Sequence, residues 1–265
     1  MALLRPHTNF IDPQAPSVWR PICQITSEQS CPRWRKSAGW PFCLPNDARS
    51  AKCIHGHVET NCRGQNLNSY HGGARPTASG AWSLSAQYSY SMDVGLAHSL
   101  ARLFTGHTVV ELGAGLGCYT GFLRDHGTVG EVIGFDGAEG VHTHTHGLVS
   151  QADLTRRDLD LPKADWTLCL EVAEHIPPEL EADFLSNVNA TSRFGLVLSW
   201  SNGWGNGHVN VRGPEYVINM ICKLGFQHDK MATRALQGAT TDFWWFQTSL
   251  QVFRRPTFTP RCCDM

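Results

Sequence analysis

The apolar positions of this chain fall into short, evenly separated runs from about residue 91 onward, and show no sustained period before it. Met92, Leu96, Leu100 and Leu103 recur at helical spacing, with Ser91 as N-cap and Gly106 just past the end. A strand is expected at Thr108 to Leu112, then a turn containing Gly113, Gly115 and Gly117, then a helix from Leu116 to Arg124 that stops near Gly127. Further compact runs predict strands at Glu131 to Phe135, Val149 to Leu154, Trp166 to Leu170 and Phe194 to Trp200. Pro177 and Pro178 open a helix whose apolar face uses Leu180, Phe184, Leu185 and Val188. Pro214 opens another, with Tyr216, Val217, Met220, Ile221 and Leu224 on one face and Gly225 at its end. Residues 226–253 read as strand, loop and strand, rich in Trp244, Trp245 and Phe246. Strands alternating with helices predict an α/β fold, with a mainly parallel sheet covered by helices on both faces.

Ligands of such sheets bind beyond the carboxyl ends of the strands, where the strand order reverses. Glu111, the glycine turn, Asp136, Asp153 and Glu171 all fall at expected carboxyl ends. Three alternate glycines bring a ligand close to the backbone, and the N–H groups of the following helix point at it. A dinucleotide fingerprint requires glycine where Cys118 stands, and a phosphate-binding P-loop requires a Gly-Lys-Ser/Thr ending that is absent. Asp136 ends the second strand, where a carboxylate can accept both hydroxyls of a ribose.

The E-x-G-x-G-x-G form at 111–117 resembles the first motif of class I S-adenosylmethionine (SAM)-dependent methyltransferases. L-E-V-A-E-H-I-P at 170–177 closely resembles the fourth-strand motif of the small-molecule members, of the type 11/23 kind. The resemblance covers about residues 80–255. It implies a Rossmann-like, mainly parallel seven-stranded sheet with an antiparallel final strand, and SAM as cofactor. It also implies that the amino-acid end of SAM lies by Glu111 and Gly113, the ribose by Asp136 and the adenine by Asp153. Ala114, Gly115, Gly117, Gly137, Leu154 and Glu171 complete the expected cofactor set.

Methyl transfer needs the acceptor lone pair in line with the donor methyl, and a hydroxyl or protonated amine must also lose a proton. The candidate catalytic residues are His208, His175 and Glu174. The glycine-rich loop 201–212 follows the fifth strand, and its glycines suit a lid; Trp204, Asn210 and Arg212, with Trp200 before them, are the candidate substrate-binding residues. The expected acceptor is an O or N atom of a small molecule. Nucleic acid is disfavoured as a partner: the net charge is -1, and Glu-Val-Ala-Glu stands where base-amine methyltransferases carry Asn/Asp-Pro-Pro-aromatic. Cys169 sits inside an apolar strand rather than in a Pro-Cys nucleophile pair. Rival readings are a protein or nucleic-acid methyltransferase, or a SAM-binding partner subunit without catalysis.

Residues 1–75 form a Pro- and Cys-rich irregular extension to a methyltransferase domain at 76–256, with a tail at 257–265. Cys23, Cys31, Cys43, Cys53 and Cys62 contain no C-x-x-C knuckle, so free thiols rather than a zinc ribbon are expected. His142, His144 and His146 would share one face of an extended chain, yet nearby carboxylates or thiols are lacking and no metal is assigned. No apolar run approaches the roughly 20 residues that span a bilayer. The opening M-A-L-L-R-P is too short for a signal-peptide core, which sets the expected location as cytoplasmic. Oligomeric state is not legible.

Overall fold

The computed structural model describes residues 76–83, 92–157 and 159–256, and a small antiparallel pair of Cys53–Ile54 with His57–Val58. The expected extension 1–75 otherwise lies outside the described residues, as do the tail 257–265 and the Ser91 N-cap.

Seven strands build one sheet: β1 Val109–Leu112, β2 Val132–Asp136, β3 Val149–Gln151, β4 Ala164–Cys169, β5 Ser192–Ser199, β6 Gln227–His228 and β7 Leu250–Arg254. Their spatial order is β3-β2-β1-β4-β5-β7-β6. The first five pair in parallel, and β7 inserts antiparallel between β5 and β6. The order reverses between β1 and β4, so the crevice beyond their carboxyl ends is the natural ligand position.

Adjacent residues of each strand feed opposite cores, as the two-residue period requires. Val109 and Val197 pack on one face with Leu96 and Leu100 of α1 (Val94–Leu103). Val110, Leu196 and Leu198 pack on the other, against Phe184 and Val188 of the helix Glu181–Thr191 and Ile221 of the helix Pro214–Lys223. In chain order the helices are α1, α2 Cys118–Asp125, α3 Val141–His144, α4 Glu181–Thr191, α5 Pro214–Lys223, α6 Lys230–Gln237 and α7 Phe246–Ser249. None of the described helices is long and apolar enough to cross a membrane.

Two expectations are corrected. Residues 141–144 turn helically instead of extending, so His142, His144 and His146 are exposed without sharing a strand face. The stretch after β6 is not a loop but α6, with Asp229 accepting from the Ala232 N–H at 2.9 Å as its N-cap. Ala232 and Leu236 of this helix join the core under α1, which supplies the burial that stabilises so short a helix.

The N-terminus of α1 is a junction. Buried Asp93 caps it, accepting from the Leu96 N–H at 2.8 Å. Its carboxylate also receives the backbone N–H groups of Thr241, Asp242 and Phe243 at 2.9, 2.8 and 3.0 Å. In return Asp242 accepts from the Val94 N–H at 3.0 Å. Loop 239–246 is thereby fixed over the end of the sheet.

Candidate active site

The turn after β1 is shaped by contact as well as by ligand access. Gly113 has φ +77°, and a Cβ there would overlap the Val172 side chain in the loop after β4. Asp136 clasps the same turn from the tip of β2. One carboxylate oxygen accepts from the Gly115 N–H at 2.7 Å and the other from the Ala138 N–H at 2.8 Å. Burial pushes the Asp136 carboxyl above its usual range, and these two donors draw it back. Glu111 is buried beneath the turn and accepts a short hydrogen bond from the Thr120 hydroxyl. Burial raises its pKa to about 8, against the Thr120 hydroxyl, with the Asp136 charge adding to the rise.

These groups line a cavity of about 400 Å³ beyond β1, β2 and β4. Every residue of the sequence-derived cofactor set faces it except Gly117, which is the left-handed residue preceding α2. Asp153 lies at the cavity wall with one oxygen engaged by the Thr155 N–H and hydroxyl, at 3.0 and 2.7 Å. Several lining residues were not singled out from sequence. Trp82 and its neighbours arrive from segment 76–83, and Phe243, Trp245 and Phe246 from the loop fixed by Asp93. For the second group the sequence signal is the density of aromatics at 243–246, which strand-and-loop patterning alone does not link to a site. Phe243 and Trp245 stack at 4.8 Å, and the buried indole N–H of Trp245 has no partner among the described residues. It is a donor available to a ligand.

Beyond β4 the chain strains. Glu171 has φ +54°, a conformation that costs a non-glycine residue ~1–3 kcal/mol and persists where surrounding contacts impose it. Here its N–H donates to Ser199 Oγ at 2.8 Å and its carboxylate accepts from Ser249 Oγ at 3.2 Å. Burial raises the Glu171 carboxyl. Glu174, wholly buried, is held well above the carboxylate range by burial and then by the Glu171 charge.

The glycine-rich loop comes back onto this segment. The Val209 and Asn210 N–H groups both donate to the Glu174 carbonyl, at 2.8 and 3.0 Å. That brings His208 beside His175, with ring centroids 5.0 Å apart and nearly perpendicular. Trp82 stands edge-on to His175 on its other side, at 5.4 Å. The three candidate catalytic side chains, Glu174, His175 and His208, are thus gathered, and His175 faces the cavity.

The candidate substrate residues lie elsewhere. Trp200 is buried and donates to the Asn210 carbonyl at 2.6 Å. Asn210 and Arg212 donate to Glu181 at 2.8 and 3.2 Å, and the Tyr216 hydroxyl donates to the same carboxylate at 2.5 Å. Trp204 is 90% exposed. None of the four lines the cavity. With these bonds in place the loop is pinned rather than lid-like.

No family model matches this chain, and no curated protein matches it. Among solved structures it is similar to the magnesium protoporphyrin IX methyltransferase of Synechocystis PCC 6803 with bound SAH, at 16% identity over 60% of this chain and 82% of that one, TM-score 0.47. It is similar also to the CcbJ methyltransferase of Streptomyces caelestis, at 12% identity over 62% and 90% of the two chains, TM-score 0.45. The glycopeptide N-methyltransferase MtfA aligns at 14% identity over 66% and 94%, TM-score 0.45. Independently of those alignments, five parallel strands running outward from a glycine turn at the reversal point, closed by an antiparallel β6–β7 edge, give this chain the class I methyltransferase fold.

Proposed function

We propose that this chain is a SAM-dependent methyltransferase acting on an O or N atom of a small molecule. The observation that carries the reading is the convergence of Glu111, the glycine turn, Asp136, Asp153 and Glu171 on one cavity at the strand reversal. About 400 Å³ lies within the range of small-molecule sites, roughly 300–1,000 Å³. Acids and backbone N–H groups predominate among its polar groups, with Ser79, Tyr119 and His175 beside them, and the Trp245 N–H adds a donor. This set suits a ligand carrying an ammonium, a sulfonium, a carboxylate and a ribose diol together.

Bound SAM would supply an electrophilic methyl on a cationic sulfur. Glu111, which burial keeps protonated near neutral pH when no ligand is bound, would give up its proton beside the cationic end, with the Glu171 carboxyl close by, and Asp136 would offer acceptors to the ribose hydroxyls. Phe243, Trp245 and Phe246 exclude water from one side of the cavity, and Trp82 with His175 borders the other. His175 Nδ1 lies 3.0 Å from the Gly207 carbonyl and so must be the protonated nitrogen. Its Nε2 then carries the lone pair that can take a proton from an acceptor hydroxyl or amine.

The test is calorimetric and chemical. SAM and its demethylated product should each bind at one per chain, and Asp136→Ala should weaken both by about 1–3 kcal/mol. Incubation with SAM and fractionated small-molecule extract should give a methylated product by mass, with S-adenosylhomocysteine formed in equal amount. Binding without any such product would favour a non-catalytic SAM-binding subunit, and absence of binding would overturn the reading.

A further inference from the structure

Glu174 is the least expected side chain in the protein. It is 0% exposed, and neither of its carboxylate oxygens meets a donor in good hydrogen-bond geometry among the described residues, although the Glu171 carboxyl and the Ser201 backbone lie against it. A buried carboxylate left in this way costs several kcal/mol unless it is neutralised or paired. What faces it is a pair of imidazoles, with the Glu171 carboxyl beside them. One ligating atom from each of Glu174, His175 and His208 lies within 4.8 Å of the others, and no other such group occurs among the described residues.

Each histidine is oriented through its Nδ1. His175 Nδ1 donates to the Gly207 carbonyl at 3.0 Å, and His208 Nδ1 to the Gly203 carbonyl at 2.8 Å. A carbonyl only accepts, so each Nδ1 bears the proton and each Nε2 the lone pair. A backbone carbonyl on the distal nitrogen is the usual support of a metal-bound imidazole, where it fixes both tautomer and ring direction. The main-chain bonds from Val209 and Asn210 to the Glu174 carbonyl hold the two halves of the cluster together. The Glu171 carboxyl lies against both Glu174 and His208 and is a second acid at the same place.

We propose that Glu174, His175 and His208 form a binding site for one divalent first-row transition-metal ion at the edge of the cofactor cavity. Two imidazoles and a carboxylate suit manganese, iron(II), cobalt or zinc, and disfavour magnesium and calcium, which prefer all-oxygen sets. Three protein ligands leave coordination positions open, as catalytic rather than structural metal sites do. Resting on the methyltransferase reading, the ion takes over the role given above to the His175 lone pair: it holds an oxygen of the acceptor next to the donor methyl and eases loss of its proton, and the acceptor class narrows to molecules that offer a hydroxyl or carbonyl oxygen there.

The site is tested on the untagged full chain with Co²⁺, whose visible spectrum reports its ligands. One equivalent should bind and give d–d bands without sulfur-to-cobalt charge transfer. Zn²⁺ should displace it and millimolar Mg²⁺ should not. His208→Ala, in a half-exposed loop, and the isosteric Glu174→Gln should each weaken Co²⁺ by more than about tenfold while circular dichroism stays unchanged. The proposal is overturned if no cobalt binds, if its spectrum shows thiolate ligands, or if both variants bind as the unmodified chain does. SAM binding to the unmodified chain is measured in parallel. Cobalt without SAM would sink the methyltransferase reading and leave the metal site standing, and SAM without cobalt would do the reverse.

Discussion

Trp245 shows how much a single atom can say. Its ring stacks on Phe243 and borders the cavity, while its buried N–H has nothing among the described residues to donate to. Leaving a buried donor unmatched is unfavourable by about 1–3 kcal/mol, so a bound ligand with an acceptor at that point would recover it. Trp245→Phe keeps the apolar wall and deletes the donor. SAM affinity measured by calorimetry is expected to fall by about 0.5–1.5 kcal/mol, the net value of one hydrogen bond, with thermal stability unchanged or slightly raised. Equal affinities would assign the ring to packing alone.

Among the elements, the decisive one is the N-terminus of α1, because Asp93 serves both as its cap and as the anchor of loop 239–246. Asp93→Ala removes a cap worth ~0.5–2 kcal/mol and strands three further N–H donors. A loss of roughly 2–4 kcal/mol in urea denaturation is expected, together with weaker SAM binding because Phe243, Trp245 and Phe246 lose their hold. Asp93→Asn, which keeps one acceptor oxygen, should fall between. Elements of this kind separate what sequence could reveal from what it could not. Strands β1, β2, β4 and β5 were legible because each is a compact apolar run feeding two cores, and the glycine turn because its spacing is short-range. Helix α6 was missed although Asp229 and Gly238 bracket it, since its eight residues carry little apolar surface and depend on packing under α1. The cavity wall at 79–82 and 243–246 was illegible for a different reason. Residues 243–246 reach it through bonds spanning about 150 positions, such as Phe243 to Asp93, and residues 79–82 arrive from a segment without periodic pattern. Asn210 and Arg212 have the chemistry of substrate ligands, but Glu181, distant in sequence, engages both.

For the whole molecule, the carboxyl end of the sheet gathers acids that burial has pushed upward: Glu111 to about 8, with Asp136, Glu171 and Glu174 shifted in the same direction. A folded-state pKa above the unfolded one means that the native protein holds protons the unfolded chain has released. For Glu111 the window runs from its ordinary 4.5 to about 8. Across it stability should decline as pH rises, by at most about 1.4 kcal/mol per pH unit for that group. Urea midpoints measured from pH 5 to pH 8 without ligand should therefore fall, and Glu111→Gln should flatten part of the slope. A rising midpoint would contradict the burial of these groups. A further consequence lies in the loop that carries His208. It is fastened to Glu174 through the main-chain N–H groups of Val209 and Asn210, while Trp204 is 90% and Val209 52% exposed. Side chains at these two positions are then free to drift over generations, or in a mutant library, without displacing the imidazole. Changes at these two positions therefore leave Glu174, His175 and His208 in the same arrangement.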